Sequence, residues 1–220
     1  MSGHHSRARS VEAAPVRRAV FLDTDGSLID NPVHYADPGL ATLASGAADA
    51  LRMLKAQEFV LAVVSNQPGV ALGRFPLRAL TGFERRIREL LAPHGASVDA
   101  FYYCPHLPHA ANVRFAVRCL CRKPQPGLLR QAARDWQIDL AQSWLVGDTL
   151  EDIEAGSRAG CRTVLVDTGS ETEWRLAPFR QPHHLAGSLR QAAHAILSSA
   201  GRAPRGPAGD RATADAVSRA

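Results

Sequence analysis

A-V-F-L-D-T-D-G-S-L-I-D, from Ala19 to Asp30, sets two carboxylates, Asp23 and Asp25, where a short apolar run gives way to glycine. Ala19 to Leu22 follows the basic pair Arg17 and Arg18 and reads as a strand buried on both faces of a parallel sheet. Asp23 then stands at the carboxyl end of that strand, where open α/β sheets bind their ligands. Gly26 gives the chain freedom to turn around a bound group. A D-x-D-G sequence also opens calcium loops, but such a loop needs a glutamate six residues after the glycine. Here that residue is Pro32.

The rest of the chain repeats the pattern of strand, loop and helix. Asn31 to Leu40 contains Pro32, Pro38 and Gly39 and reads as a loop on the same sheet edge as Asp23. Gly46 to Gln57 puts Ala47, Ala50, Leu51 and Leu54 on one helical face. Phe59 to Ser65 is a second buried strand that ends in a polar residue, and Pro76 to His94 is an amphipathic helix with Leu80, Phe83, Ile87, Leu90 and Leu91 inward. Val98 to Tyr103, Ser143 to Gly147 and Arg162 to Asp167 are further strands, and Gly127 to Gln137 is a crossover helix. This alternation predicts an α/β fold with a doubly wound parallel sheet and no large cap domain. One domain over residues 18–198 is expected, between disordered tails at 1–17 and 199–220.

Between Cys104 and Cys121 lies C-x-H, a gap of twelve residues, and C-x-C. Three thiols and an imidazole, Cys104, His106, Cys119 and Cys121, suit a closed tetrahedral zinc site with no position left for substrate. His109 reads as a surface residue of this loop, and Cys161 as a small buried apolar one. Arg122 and Lys123 follow the last of these ligands directly. Lys123 is one of only two lysines against 24 arginines, so a compact point charge is wanted at this place.

The net charge of +5 belongs to the tails: residues 1–18 carry +3, residues 199–220 carry +2, and the body is neutral. A basic nucleic-acid face is therefore not expected. No apolar run approaches the roughly 18 residues needed to span a membrane, and the N-terminus lacks the apolar core of a signal peptide. A cytoplasmic monomer is expected, without membrane or nucleic-acid partners.

Gathered on one sheet edge, Asp23, Asp25, Ser65, Lys123 and Asp148 combine carboxylates, an ammonium and a hydroxyl. That chemistry fits Mg²⁺ and a phosphoryl group, because Mg²⁺ takes hard oxygen ligands from one or two carboxylates and the substrate. A carboxylate nucleophile beside a cation can attack phosphorus and divide a difficult step into two.

F-L-D-T-D-G-S, V-V-S-N-Q, C-R-K-P and V-G-D-T-L-E-D resemble, in order, the four motifs of the haloacid dehalogenase (HAD) phosphatase superfamily. The zinc segment narrows the likeness to the D-glycero-D-manno-heptose 1,7-bisphosphate 7-phosphatase family, relatives of the histidinol-phosphate phosphatases. The resemblance implies a small phosphorylated sugar as substrate, Asp23 as nucleophile and Asp25 as general acid and base. It also implies Ser65 and Lys123 on the phosphoryl oxygens, Mg²⁺ held by Asp23, the carbonyl of Asp25 and Asp148, and a structural Zn²⁺. Arg122 would contact substrate, together with Thr24, Asn31, His34, Asn66 and Gln67. Asp152 reads as a residue standing behind the site acids, or as support for a helix N-terminus. Thr24 and Thr149 stand where the family commonly has arginine and lysine. Histidinol phosphate or another polyol phosphate is the alternative substrate, and a catalytically dead, zinc-stabilised binding module is the alternative of another class.

Overall fold

Along β1 (Ala19–Leu22) the side chains alternate between two apolar cores, as the two-residue repeat of a strand requires. Val20 and Leu22 join Leu61, Val63 and Trp144 on one face, while Ala19 and Phe21 join Val60, Ala62 and Leu145 on the other. The computed structural model of the protein describes residues 16–30, 37–169, 171, 174–175 and 177–200. Asn31 and His34, with the loop they belong to up to residue 36, lie outside the described residues, as do residues 1–15 and 201–220.

Six parallel strands form one sheet in the order β3-β2-β1-β4-β5-β6. The others are β2 (Val60–Asn66), β3 (Ala100–Cys104), β4 (Trp144–Gly147), β5 (Arg162–Val166) and β6 (His184–Ala186). The strand order reverses at β1, which pairs with β2 on one side and β4 on the other. This is the crevice where doubly wound sheets bind ligands.

Helices cover both faces. Leu51, Leu54, Phe83 and Ile87 of α1 (Ala47–Lys55) and α3 (Ala79–Leu91) enter the Val20 core. Leu189, Ala192 and Ile196 of α6 (Leu189–Ala200) join them, and α6 packs on α1. Leu128, Leu129 and Ala132 of α4 (Gly127–Trp136) fill the Phe21 core. Burying a side chain of this size stabilises by about 1.5–3 kcal/mol. Between β2 and α3 runs the single turn α2 (Pro68–Ala71), and α5 (Leu150–Ala159) follows β4.

Several expectations shift. The helix expected from Pro76 begins at Ala79, because Pro76–Arg78 form the turn that enters it, and it ends in a 3₁₀ turn over Ala92–His94. Arg17, assigned to the tail, donates its N–H to Gln137 O and accepts from Asp139 N. At the other end α6 runs to Ala200, two residues into the stretch read as tail. No helix among the described residues is long and apolar enough to cross a membrane.

Candidate active site

Asp23 continues β1, its N–H bonded to Val146 O of β4 at 2.8 Å, so its carboxyl emerges at the strand-order reversal. Beyond it the chain folds back. Leu28 N–H and Ile29 N–H both donate to Thr24 O, and Gly26 at φ +73° donates to Ile29 O. A Cβ at Gly26 would stand 2.0 Å from Asp148 Oδ2 at the end of β4. The turn and the second strand end are thus fitted together. Gly26→Ala is expected to push Asp148 aside and lower kcat by about a hundredfold, the usual cost of an ångström-scale misplacement. Phosphate release and a thermal melt on the same variant check this, because alanine at this positive φ also strains the turn.

Lys123 organises the centre. Almost fully buried, it donates through Nζ to Asp23 Oδ1 and to Val64 O (3.0 Å) and pairs with Asp152 Oδ1 at 2.5 Å. Its backbone is clamped by Asn66, whose Oδ1 accepts from Lys123 N (2.9 Å) and whose Nδ2 donates to Lys123 O (3.1 Å). Gln67 Nε2 donates to Ser65 Oγ at 2.8 Å and fixes that hydroxyl.

Asp152, in the first turn of α5, forms a reciprocal cap: Thr149 N and Oγ1 both donate to its Oδ2 at 3.1 and 2.7 Å, and its own N–H donates to Thr149 Oγ1 at 3.4 Å. Carboxylate oxygens of Asp23, Asp148 and Asp152 lie within 4.8 Å of one another. Burial pushes the Asp23 carboxyl up to about 8, against the pull of Lys123. Burial alone would lower the Lys123 ammonium, but Asp152 and Asp23 outweigh it and hold it above its usual range. Three crowded acids around one ammonium form a site that gains from a further cation.

Lys123→Met would leave Asp152 buried without its counter-charge. In EDTA at neutral pH it is expected to cost about 3–5 kcal/mol of stability, as for other broken buried pairs. Urea unfolding measures it.

Two strands away, Cys104 at the end of β3 meets His106, Cys119 and Cys121. The sulfurs lie 3.2–3.5 Å apart, and His106 Nδ1 is 3.4 Å from Cys121 Sγ and 3.6 Å from Cys104 Sγ. Hydrogen bonding by Cys104 pulls the Cys121 thiol down to about 5 and lifts that of Cys104 in turn. Three thiols and an imidazole converging on one point have the composition of a structural zinc site. His109 is exposed and outside the cluster, while Cys161 is buried with its thiol pushed up to about 12 by burial.

Some expected substrate contacts serve other ends. Thr24 is fully buried in this structure. Asn66 and Gln67 spend their amides on Lys123 and Ser65. Arg122 donates to His106 O at 3.3 Å, tying the loop end to its ligand. Asp152, expected to support the helix terminus, does so and also pairs with Lys123. The spacing Thr149-x-x-Asp152 in a strand-to-helix turn carries the capping signal. The ion pair with Lys123 joins distant segments and has no local signature.

A strand-order crevice holding paired acids and a lysine defines a phosphatase of the HAD superfamily, and the chain belongs to that family. A family model described as HAD-hydrolase-like matches residues 120–192. The chain is 40% identical over 154 residues to a Yersinia pestis protein named D-glycero-beta-D-manno-heptose-1,7-bisphosphate 7-phosphatase, covering 69% of this chain and 81% of that one. A protein of the same name from Escherichia coli K12 is 41% identical, with 69% and 80% covered. Among solved structures, D,D-heptose 1.7-bisphosphate phosphatase from B. bronchiseptica, complexed with magnesium and phosphate, has a TM-score of 0.69 at 29% identity. That likeness covers 83% of this chain and 99% of that one. A Mesorhizobium loti protein described as a HAD-like phosphatase has a TM-score of 0.74 at 31% identity, with 87% and 91% covered.

Proposed function

We propose that the protein is a Mg²⁺-dependent phosphomonoesterase that removes the 7-phosphate of D-glycero-β-D-manno-heptose 1,7-bisphosphate. The observation that carries this reading is the buried cluster of Asp23, Lys123, Asp148 and Asp152 at the strand-order reversal, in a chain whose relatives bear that name. An intact nucleophile, lysine and acid set also argues against a dead binding module.

Asp23, Asp148 and the carbonyl of Asp25 would hold the Mg²⁺, and the crowding of the three carboxylates is what a divalent cation relieves. Bound there, Mg²⁺ supplies positive charge that keeps Asp23 ionised and draws charge from the phosphoryl oxygens. An Asp23 oxygen attacks phosphorus as the bond to the sugar oxygen breaks, and Asp25 gives its proton to that leaving oxygen. Asp25 then takes a proton from water as the water attacks phosphorus, which frees Asp23 and releases phosphate. Lys123 and Ser65 hold the phosphoryl oxygens, with Gln67 orienting the Ser65 hydroxyl. Asn66 and Asp152 keep Lys123 in place.

Zn²⁺ on Cys104, His106, Cys119 and Cys121 would be structural, fixing the loop that delivers Arg122 and Lys123. We read residues 18–198 as the catalytic unit and the chain as a cytoplasmic monomer acting on a small sugar phosphate.

The test is phosphate release with Mg²⁺ from both heptose 1,7-bisphosphate anomers, histidinol phosphate, fructose 1,6-bisphosphate and an aryl phosphate, compared by kcat/KM. A preference for the β-heptose supports the reading. Preference for histidinol phosphate would overturn the substrate but keep the chemistry.

A further inference from the structure

β5 ends at Val166, and the next residue still bonds to the sheet, Asp167 N–H donating to Ala186 O at 2.8 Å. Its side chain then closes a tight turn, in which Oδ1 accepts from Gly169 N at 3.3 Å and Gly169 takes φ +79°. The sequence D-T-G thus fixes Thr168 at the carboxyl end of β5, the strand that neighbours β4 and its terminal Asp148.

From there Thr168 Oγ1 donates to Asp148 Oδ2 at 3.3 Å. Asp148 is buried and Thr168 exposed, so the hydroxyl meets the carboxylate from the solvent side. The same oxygen is closed in by the turn after β1, since a Cβ on Gly26 would stand 2.0 Å from it. Three strand ends therefore act on one carboxylate: β4 presents it, the Gly26 turn limits it and Thr168 anchors it.

Two residues past Gly169, Glu171 Oε2 accepts from Leu150 N at 2.8 Å. Leu150 is the first residue of α5, and the opening N–H groups of a helix have no partners within it. Glu171 satisfies this one, as Thr149 Oγ1 satisfies that of Asp152. Thr168 and Glu171 are thus attached to the residues on both sides of Thr149, one through a hydroxyl on Asp148 and the other through a carboxylate on Leu150. The bond from Thr168 to Asp148 spans 20 residues, so no local spacing in the sequence marks it.

We propose that Thr168 is a positioning residue of the metal site: its hydroxyl sets the orientation in which Asp148 meets the divalent cation, and Glu171 keeps the turn that carries Asp148 in register with it. The proposal rests on the magnesium reading above. Carboxylates that bind metals are themselves hydrogen-bonded, and loss of such a partner costs about 10–100-fold in metal affinity or activity. Threonine suits the place because branching at Cβ restricts χ1 and so limits where the hydroxyl can point.

The experiment measures Mn²⁺ binding through the electron paramagnetic resonance signal of the free ion, and the Mg²⁺ concentration that gives half-maximal phosphate release, on the parent protein, Thr168→Val and Thr168→Ser. Valine keeps the shape and removes the hydroxyl, and at an exposed position it should leave the melting temperature unchanged. Thr168→Val should weaken Mn²⁺ binding by about tenfold and raise the Mg²⁺ requirement by the same factor, with the substrate KM at saturating Mg²⁺ unchanged. Thr168→Ser should restore most of the affinity. Glu171→Ala should shift it in the same direction by less, because Glu171 acts through the turn. Equal Mn²⁺ affinity in the parent and Thr168→Val overturns the proposal. So does a serine variant as weak as the valine one, which would place the effect in packing, and so does a change confined to the substrate KM, which would make Thr168 a substrate contact. A parent that binds no Mn²⁺ overturns the magnesium reading along with it, so the two failures are distinguishable.

Discussion

Asp23→Asn should abolish turnover and leave the fold standing. The carboxylate oxygen of Asp23 is the proposed nucleophile, and an amide in its place cannot form the acyl phosphate. Loss of a covalent nucleophile costs about five to six orders of magnitude in kcat. The fold tolerates the change because Lys123 keeps Asp152 Oδ1 and Val64 O as partners, so no ammonium is left stranded. The backbone bond from residue 23 to Val146 O does not depend on the side chain. Substitution also removes a carboxyl that burial holds at about 8, a group the metal-free fold gains nothing by keeping ionised. Phosphate release and a thermal melt on the same preparation test the two halves separately. Residual turnover above about one part in a thousand would transfer the nucleophile role elsewhere. A collapsed melting temperature would show Asp23 to be part of the fold's support.

The contrast between Asp23 and its neighbours shows what a sequence can carry. β1 was legible to the residue, because a four-residue apolar run between basic and acidic residues has few other readings. β2, β3, β4 and β5 lie within two residues of the expected bounds for the same reason. β6 has only His184, Leu185 and Ala186, an edge strand with Leu185 largely exposed, so neither length nor alternation announces it. α6 carries an apolar period of Leu189, Ala192, Ala193 and Ile196, but half of it is alanine, which faces core and solvent alike.

At the site, residue type was informative where chemistry demands a type, and misleading where geometry decides. The acids, Ser65 and Lys123 fall where strand ends must gather. Asn66 and Gln67 are expected at the substrate from the family resemblance alone. In this structure they fasten Lys123 and Ser65, through bonds that span 57 residues in one case and two in the other. Thr24 sits between two site acids in sequence, yet alternation along an extended chain turns it inward. Thr149 looks like a missing cation, and the structure gives it a positive task in capping α5.

Removing the proposed zinc should separate the stability of the loop from that of the sheet. The apolar cores of both sheet faces lie apart from the segment 105–118, which contributes one partly buried apolar side chain, Phe115, to them. Cys119→Ser is therefore expected to leave helix and sheet content in place while the loop loosens, with about one equivalent of zinc lost per chain. The activity should fall much further than the stability. Lys123 lies two residues beyond Cys121, and Arg122 is bound to His106 O, so a freed loop lets both cations drift from the phosphoryl position. A drift of an ångström costs about a hundredfold in rate, and a lost ammonium costs more. The measurements are zinc content by atomic absorption, far-UV circular dichroism, a thermal melt and kcat with saturating Mg²⁺. Full activity in zinc-free Cys119→Ser would show that Asn66, Asp152 and Val64 hold Lys123 in place without the loop. Loss of zinc together with all secondary structure would show that the metal, and not the two apolar cores, nucleates the fold.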